Sequence, residues 1–572
     1  MMQENEQWVE STIVSMSLEE KVGQIILVGF WNITTDPEAV LHRIEKYHLG
    51  GIFHFALGQD ELARFVARAQ KLSRVPLLVA SDYEEGTGRY VKEGTTFPRP
   101  MARGYAGSFD EEYEIGAAIA REGRSMGTNY TFSPVVDVNV NPFCPDVNIR
   151  AYSDSTRKVI ELCAGYIKGI QDQGMIATAK HFPGNGGTFM DQHISAAIVD
   201  YDRQSFEETF LEPFKAAIAA GVGSIMVAHL EVPCLVTEKH PHFKRVVPAS
   251  MSKEVITDLL KDELGFEGIV ISDALDMGGV MGMYSRGEAN IKALLAGTDL
   301  LLNFFPWNFE TDYEYILNAV KNGEVPMERL DDAVRRVLRG KARIGLGRQT
   351  HLPAPPEERE KIFAQGKNDA WCQSISRKGM TLLRNIDNVL PLPSLGGKKV
   401  TVFSIFGPEN KVMVGQGQFP TTEILSQRLS ERGAEVEHVE VVSDWEFHEL
   451  RPIYERCKES DYVFVNLYII PSFAIGTLIP NINGVRLFYL GILSQAKNVI
   501  ITSFGDPWVM NYFQTAPTYL CLFDQSIHSQ EVAVRAWFGE EPITGRMPVR
   551  MPLLFERGDG VDLVIKHETV GG

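Results

Sequence analysis

The sequence predicts an α/β protein in which a (β/α)8 TIM-type barrel precedes a smaller doubly wound α/β sandwich domain. The chain has 572 residues, and single hydrophobic cores stop growing at roughly 250–300 residues, so we expect two domains. A composition of 44% hydrophobic and 23% charged residues is typical of globular proteins. The other two observations are the order of apolar runs along the chain and the polar residues that end them.

The first half of the chain alternates short apolar runs with helical patterns. The eight runs cover residues 22–30, 49–55, 76–82, 129–139, 175–182, 224–230, 268–275 and 299–304. They lack strict alternation of polar and apolar residues, which is typical of strands buried on both faces. The segment 110–126 has the apolar spacing of an amphipathic helix. Eight such units predict a TIM-type catalytic barrel over residues 1–345.

Polar side chains recur at the carboxyl ends of these runs. They are Asp82, Asp137, His181, His229 and Asp273. In a TIM-type barrel the carboxyl ends of the strands form the catalytic face. The sequence therefore predicts that these side chains converge on one site.

The second half begins with a change in composition. Prolines and exposed charges predict a connector and lead-in helix over residues 346–395, with the helix near 358–378. Apolar runs at 399–406, 461–469, 498–504 and 518–523 then alternate with helical segments at 421–432 and 530–538. This order predicts the α/β sandwich domain over residues 396–572.

Charge and composition exclude several functional classes. A formal net charge of −18 disfavours nucleic acid, whose binding depends on Lys and Arg neutralising phosphates. No stretch approaches the roughly 20 apolar residues of a membrane span, and the acidic, polar first residues do not resemble a signal peptide. The six cysteines are widely spaced, which favours buried free thiols over a disulfide framework. We expect a cytoplasmic protein that acts on a small molecule, with no membrane partner.

The segment A-K-H-F-P-G-N-G-G-T-F-M-D-Q-H follows a predicted strand and contains four ionisable residues. In an extended loop, the i, i+2 spacing of Asp191 and His193 places both side chains on one side, so the carboxylate can polarise the imidazole. A histidine with a pKa of roughly 6.5 serves as both acid and base near neutrality. The alternative is a surface Asp-x-His in a mobile loop.

Asp273 ends the apolar run of V-I-S-D-A-L-D-M. A carboxylate in that position can attack an anomeric carbon or stabilise an oxocarbenium-like transition state. Asp276 is the competing candidate, and we expect it to cap the following helix.

Four further residues suit the recognition of sugar hydroxyls. They are Asp82, Arg150, Lys180 and His181. Buried carboxylates and cationic donors commonly hold hydroxyl groups. The alternative is structural: salt bridges between loops, or a buried histidine bonded to backbone.

A metal ion or a cofactor is not expected. His181, Asp191, His193 and Asp273 could be assembled into a two-histidine carboxylate set, but the sequence has no H-E-x-x-H or similar metal motif. The segments E-G-T-G-R and G-N-G-G-T match neither a P-loop nor G-x-G-x-x-G.

Together these motifs resemble glycoside hydrolase family 3, in particular its bacterial β-N-acetylglucosaminidase branch. That branch carries Lys-His-Phe-Pro-Gly-His-Gly followed by Asp-x-His, and the similarity extends through S-P-V-V-D-V-N, I-S-D-A-L-D-M and F-G-E-E-P-I-T-G-R-M-P-V. The resemblance implies Asp273 as nucleophile, His193 as acid/base and Asp191 as its partner.

The resemblance also implies a set of substrate-binding residues, namely Asp82, Arg150, Lys180, His181 and His229. The sequence departs from the pattern at two points. Asn185 stands where the branch usually has a second loop histidine, and D-Y-E-E-G-T-G-R replaces the compact D-x-E-G-G-R.

The implied activity is that of a retaining exo-acting β-N-acetylhexosaminidase, which removes terminal N-acetylglucosamine from cell-wall or chitin-derived saccharides through a covalent glycosyl-enzyme. Three alternatives stay open. They are a β-glucosidase or β-xylosidase of the same family, an N-acetylglucosaminide phosphorylase, because an uncharged base admits an anionic acceptor, and a catalytically silent sugar-binding protein. The sequence also leaves open whether the protein forms a homodimer.

Overall fold

The computed structural model describes residues 2–31, 36–55, 57–303, 308–348, 351–364, 366–407, 422–441, 448, 450–471 and 478–564. The chain divides into two compact units. The first contains Met1–Thr95, Ser108–Cys144 and Val159–Ala364, and the second contains Thr96–Gly107, Pro145–Lys158 and Gln365–Gly572. Two short segments from the first half of the chain thus belong to the second unit.

In the part of the first unit that the structure describes, there are ten strands. They are β1 (Ile26–Trp31), β2 (Gly51–Phe55), β3 (Leu78–Ser81), β4 (Tyr130–Thr131), β5 (Thr178–Phe182), β6 (Ala197–Ile198), β7 (Ser224–Val227), β8 (Leu230–Glu231), β9 (Ile269–Ser272) and β10 (Leu301–Asn303). Each predicted apolar run contains one of them, although residue 304, at the end of the last run, lies outside the described residues. The strands form parallel sheets in the orders β10-β1-β2-β3-β4, β5-β7-β9 and β6-β8.

Among the described residues, three isolated parallel bridges connect the larger sheets, and one of them pairs Val135, beyond β4, with Lys180 of β5. Tyr130 of β4 pairs with Ile176, just before β5, and Ile271 of β9 pairs with Leu300, just before β10. Every strand of the two larger sheets runs parallel to its neighbour, so their carboxyl ends share one edge.

Helices occupy the segments between and after these strands. The α-helices are Met2–Ser15, Leu18–Gln24, Pro37–Tyr47, Gln59–Leu72, Phe109–Ser125, Thr156–Asp172, Arg203–Phe206, Glu212–Ala219, Gly278–Met281, Arg286–Ala296, Phe309–Lys321, Met327–Arg343 and Pro356–Ile362. Shorter or wider turns are Thr87–Arg89, Glu207–Leu211, Ala249–Met251 and Glu254–Glu263. Helix Phe109–Ser125 lies within one residue of its predicted bounds, and the Ser108 side chain caps it by accepting the Glu111 N–H.

Side-chain alternation divides the strands between two apolar clusters. Leu27 belongs to a cluster that draws on β1, β2, β3, β4, β7, β9 and β10. Its neighbours Ile26 and Val28 pack instead in a second cluster with the helices. Successive strand residues point to opposite faces, so both faces of these sheets are buried, as the unbroken apolar runs predict.

The second unit is built on one six-stranded sheet. Its strands are β11 (Thr381–Asn385), β12 (Lys399–Phe406), β13 (Glu435–Val441), β14 (Tyr462–Tyr468), β15 (Val499–Ser503) and β16 (Thr518–Cys521), in the order β11-β16-β15-β14-β12-β13. Only β11 is antiparallel to its neighbour. Val465 and Phe464 lie in different apolar clusters, which places packed layers on both faces of the sheet.

The helices of the second unit are short, and several correspond to predicted segments. The α-helices are Pro100–Arg103, Gly366–Gly379, Glu423–Glu431, Leu450–Glu459, Ile482–Leu487, Leu493–Gln495 and Ile527–Trp537, and other turns are Asn148–Arg150, Phe488–Ile492 and Pro507–Tyr512. The predicted lead-in helix is divided between Pro356–Ile362 and Gly366–Gly379. Residue 421, where another helix was predicted to begin, lies outside the described residues.

Among the described residues, no helix is both long and apolar enough to cross a bilayer.

Candidate active site

The predicted nucleophile Asp273 directly follows β9, and 9% of its surface is exposed. Its Oδ1 accepts the Ala274 N–H at 2.8 Å, and its Oδ2 accepts the Gln192 side-chain amide at 3.2 Å. Burial alone would raise the pKa of Asp273, but the imidazoles around it, His181 most strongly, hold that pKa below its ordinary value. The carboxylate is therefore an anion at neutral pH.

Asp191 and His193 form a hydrogen-bonded pair in the loop after β5. Oδ1 of Asp191 accepts both the backbone N–H of His193 at 2.9 Å and its Nδ1–H at 2.7 Å. Because a carboxylate only accepts, the proton is on Nδ1, and Nε2 is the nitrogen that exchanges protons. Asp191 is buried, whereas the His193 side chain is 23% exposed. The two side chains lie in a turn, not in the extended segment that the i, i+2 argument assumed, because the N–H groups of Ile194 and Ser195 both donate to the Asp191 carbonyl at 3.1 Å.

Gln192, between these two residues, points to Asp273. Its Nε2 donates to Asp273, and its Oε1 accepts the backbone N–H of His229 at 2.9 Å. The next contacts along the loop are made by backbone: the N–H groups of Gly278 and Gly279 donate to the carbonyls of His193 and Gln192, both at 2.9 Å. A Cβ on Gly278 would lie 2.1 Å from the Ile194 carbonyl oxygen. The acid/base loop is thus attached to the segment that carries Asp273.

His181 forms a second histidine–carboxylate pair, with Asp137. Its Nδ1–H donates to Asp137 Oδ2 at 2.7 Å, and its backbone N–H lies 3.2 Å from both carboxylate oxygens. The backbone N–H of Asn185 donates to Asp137 Oδ1 at 2.7 Å. The Asn185 side chain accepts the Thr188 hydroxyl at 3.1 Å, so it is part of the turn that begins the acid/base loop.

Lys180 lies between two carboxylates of the loop after β3. Its Nζ is 2.5 Å from Asp82 Oδ1 and 2.7 Å from Glu84 Oε1, and its side chain is 3% exposed. In the same loop Arg89 pairs with Glu85. The D-Y-E-E-G-T-G-R segment therefore places carboxylates around Lys180, which partly neutralises them.

His229 is fully buried, and both of its ring nitrogens are engaged. Nε2 donates to the carbonyl of Ala274 at 2.9 Å, so Nδ1 accepts the Ser250 hydroxyl at 2.8 Å. Burial lowers the pKa of His229 below its ordinary value, and the ring is neutral. It supports the backbone that follows the nucleophile.

Arg150 lies in the second unit, in the turn Asn148–Arg150. Its Nη1 donates to the carbonyl of Asp146 at 2.9 Å and to Asp146 Oδ1 at 2.7 Å. Asp276, the competing nucleophile candidate, lies 3.8 Å from Arg286, and the residue before helix Gly278–Met281 is Met277. The helix-cap role expected for Asp276 is therefore replaced by an ion pair.

Three residues of the site were given no role by sequence reasoning. The sequence placed Asp137 at the end of a strand but indicated no partner for it. Glu84 is one of two adjacent glutamates, and Gln192 is the middle residue of the Asp-x-His motif. No local pattern indicated Gln192, because the turn that directs its side chain to Asp273 is formed by backbone hydrogen bonds to the Asp191 carbonyl.

Comparison with known proteins finds relatives of this chain. Residues 17–340 match the glycosyl hydrolase family 3 N-terminal domain. The chain is 32% identical over 442 residues to a β-N-acetylglucosaminidase/β-glucosidase of Cellulomonas fimi, covering 77% of each chain. It is 31% identical to β-hexosaminidase A of Pseudoalteromonas piscicida, over 54% of this chain and 56% of that one.

Solved structures resemble the whole chain. A family 3 β-N-acetylglucosaminidase from Paenibacillus sp. str. FPU-7 superposes with a TM-score of 0.79 at 27% identity, covering 94% of this chain and 99% of that one. The β-glucoside phosphorylase BglX superposes with a TM-score of 0.85 at 24% identity, covering 96% and 97%. These likenesses establish a two-domain α/β fold.

Proposed function

The chain belongs to glycoside hydrolase family 3, and from that premise we propose that this glycoside hydrolase is a retaining, exo-acting β-N-acetylglucosaminidase. The observation that carries the proposal is the buried Asp273 carboxylate, joined through Gln192 to the loop that holds the Asp191–His193 pair. An anionic nucleophile and an imidazole acid/base on adjoining elements are what a double displacement at an anomeric carbon needs.

The proposed reaction has two steps. Asp273 attacks C1 while Nε2 of protonated His193 gives its proton to the departing glycosidic oxygen, so that the C1–O bond breaks as the glycosyl-enzyme ester forms. Water then enters, His193 takes one of its protons, and the resulting attack on C1 releases the sugar and regenerates the carboxylate. Asp191 stabilises the imidazolium that exists before the first transfer and forms again after the second.

The carboxylate-rich loop and Lys180 supply the proposed sugar site. Asp82 and Glu84 offer acceptors, and Lys180 and His181 offer donors, for hydroxyl groups of the glycone. The family pattern adds Arg150 as a further donor. His229, with both nitrogens engaged by protein groups, is better suited to positioning Asp273 than to contacting sugar.

We also propose that the two larger sheets of the first unit form one closed (β/α)8 barrel. The support is the pair of bridges Tyr130–Ile176 and Ile271–Leu300, together with an inner cluster to which strands of both sheets contribute. The site then lies at the carboxyl ends of the strands, where barrel enzymes have their active sites.

The choice of N-acetylglucosaminides over glucosides follows the relatives, whose names include both activities. We propose cell-wall or chitin-derived saccharides as the source of the substrate. The test compares kcat/KM for 4-nitrophenyl N-acetyl-β-glucosaminide and 4-nitrophenyl β-glucoside. A higher value for the first, with mass-spectrometric detection of the sugar on the Asp273 peptide after rapid quenching, supports the proposal. Binding of N-acetylglucosamine without turnover contradicts it.

A second candidate, phosphorolysis, is favoured by one feature of the site. The acid/base is an imidazole, which is uncharged when it acts as base and so repels a phosphate acceptor less than a carboxylate would. Adding inorganic phosphate to the same assay and following sugar 1-phosphate by ³¹P NMR separates the two reactions. Hydrolysis unaffected by phosphate supports the hydrolase.

A further inference from the structure

Four large apolar side chains stand exposed around the acid/base loop. Their exposed fractions are 62% for Phe143, 67% for Phe189, 48% for Met190 and 49% for Ile194. We call this set the apolar rim. Single exposed apolar residues are ordinary, but a group of them beside a site is typical of a ligand-binding surface.

The backbone holds the rim close to His193. Ile194 is the next residue and Met190 is three residues away, so the Cα atoms of Met190 and His193 lie within about 11 Å. Phe143 is brought to the same loop through Asn141, whose Oδ1 accepts the Phe143 N–H at 3.0 Å and whose Nδ2 donates to the carbonyl of Thr188 at 2.8 Å. Phe189 follows Thr188 directly.

The polarity of the site differs between its two sides. Asp82, Glu84 and Lys180 give the proposed sugar site a charged lining. The loop that carries the acid/base exposes a phenyl ring and a thioether instead, and Phe143 adds a second ring beside it. Because His193 must give its proton to the glycosidic oxygen, the leaving group stands beside this loop in the first step.

We infer that the apolar rim is the leaving-group subsite, and that it selects aglycones with a flat apolar face, namely an aryl ring or the C–H face of a second pyranose. Aromatic side chains suit such faces because they bury large apolar area with few torsions to fix, and methionine suits them because its flexible thioether adapts to the shape of a ring. This inference rests on the proposed function, since it uses His193 as the proton donor. It narrows the substrate to glycosides whose aglycone carries a ring.

The experiment measures kcat/KM on three substrates in the wild type and in the Phe189→Ala/Met190→Ala variant. The substrates are the 4-nitrophenyl, the N-acetylglucosaminyl and the methyl β-glycosides of N-acetylglucosamine, and released N-acetylglucosamine is quantified. We expect kcat/KM to fall about tenfold for the two ring-bearing aglycones, as the loss of an aromatic contact predicts. The methyl glycoside should change less than about twofold, because it has no ring to lose.

Matched variants separate a subsite from a damaged loop. Phe189→Trp keeps a ring and should retain the wild-type preference, and Val14→Ala removes an exposed apolar side chain from helix Met2–Ser15, outside the rim, without effect. Hydrolysis of the preformed glycosyl-enzyme should be unchanged in every rim variant, because the aglycone has already left.

Two results overturn the inference while leaving the proposed function standing. One is an active wild type whose double variant keeps the same ratio among the three substrates. The other is an equal fall on all three together with slower hydrolysis of the glycosyl-enzyme. A wild type that cleaves none of the substrates overturns the proposed function, and the inference with it.

Discussion

Two histidine–carboxylate pairs in the first unit have the same chemistry and different settings. His181 and Asp137 lie at the end of β5 and beyond β4, and their side chains are 4% and 0% exposed. His193 and Asp191 lie in a loop, where the imidazole is 23% exposed. In both pairs the carboxylate accepts a backbone N–H as well as the Nδ1 proton.

The difference indicates a division of labour. A buried imidazole fixed on a strand is suited to holding a hydroxyl and to stabilising the Asp273 anion, because it keeps one position and excludes water. An imidazole on a loop that reaches solvent is suited to trading protons with a leaving group and then with water. We call these the strand pair and the loop pair.

The largest effect is expected from the residue that both pairs face. Asp273→Asn keeps the shape of the side chain but removes the nucleophilic anion, so kcat/KM should fall by at least about 10⁴-fold. Aryl glycoside hydrolysis measures it, and circular dichroism checks that the variant folds. Near-wild-type activity would exclude Asp273 as nucleophile.

The next effect separates the two imidazoles. His193→Ala should lower kcat/KM by about 10²–10⁴-fold, with the smallest loss on the best leaving groups, because those need least proton donation. His181→Ala should raise KM and lower kcat by a factor that does not depend on the leaving group. Kinetics on a series of substituted phenyl N-acetylglucosaminides measure both, and equal leaving-group dependence in the two variants would contradict the division.

Removing each carboxylate sharpens the contrast. Asp191→Asn should lower kcat at the maximum of the pH–rate profile by about 10–100-fold, since the imidazolium loses its stabilising charge. Asp137→Asn should instead destabilise the fold by about 1–3 kcal/mol, because three buried N–H groups lose a charged acceptor. Urea unfolding and pH–rate profiles on both proteins test this; a pair of identical stability changes would refute it.

The smallest effect concerns stability alone. It separates a pH dependence of the unfolding free energy from a pH dependence of catalysis. Lys341 is fully buried with its Nζ 2.7 Å from Gln24 Oε1, and burial lowers its pKa to about 7. Between pH 7 and about 10.4 the unfolded state binds the proton that the native state has released, so the unfolding free energy rises with pH. Lys341→Met should abolish that rise in urea unfolding and leave kcat/KM unchanged. If the rise persists in the variant, another ionisable group causes it.

Much of the fold was predictable, because parallel strands buried on both faces leave unbroken apolar runs in the sequence. The same geometry made the strand-terminal residues recognisable, since parallel carboxyl ends share an edge. Asp191 and His193 were predictable because they are neighbours in sequence and an Asx side chain readily accepts the N–H two residues on.

The remaining features depend on contacts that no local pattern encodes. Adjacent residues of a regular strand face opposite sides, so a regular strand would not direct Lys180 and His181 to one site. In the structure β5 is not regular there, because its pairing with β7 shifts register between Ala179 and Phe182. The pairing of His181 with Asp137 joins residues 44 apart. Arg150 belongs to a segment of the second unit, which its position in the sequence did not indicate.

Gln192 has a consequence for anyone who would redesign this protein. Its amide bonds the nucleophile on one side and the backbone of His229 on the other, so the acid/base loop and the nucleophile form a single transferable module. A graft of the loop into another protein must include Gln192 and glycines equivalent to Gly278 and Gly279, because any side chain at Gly278 would meet the Ile194 carbonyl. A graft limited to Asp191 and His193 would transfer the two reacting groups without the attachment that positions them.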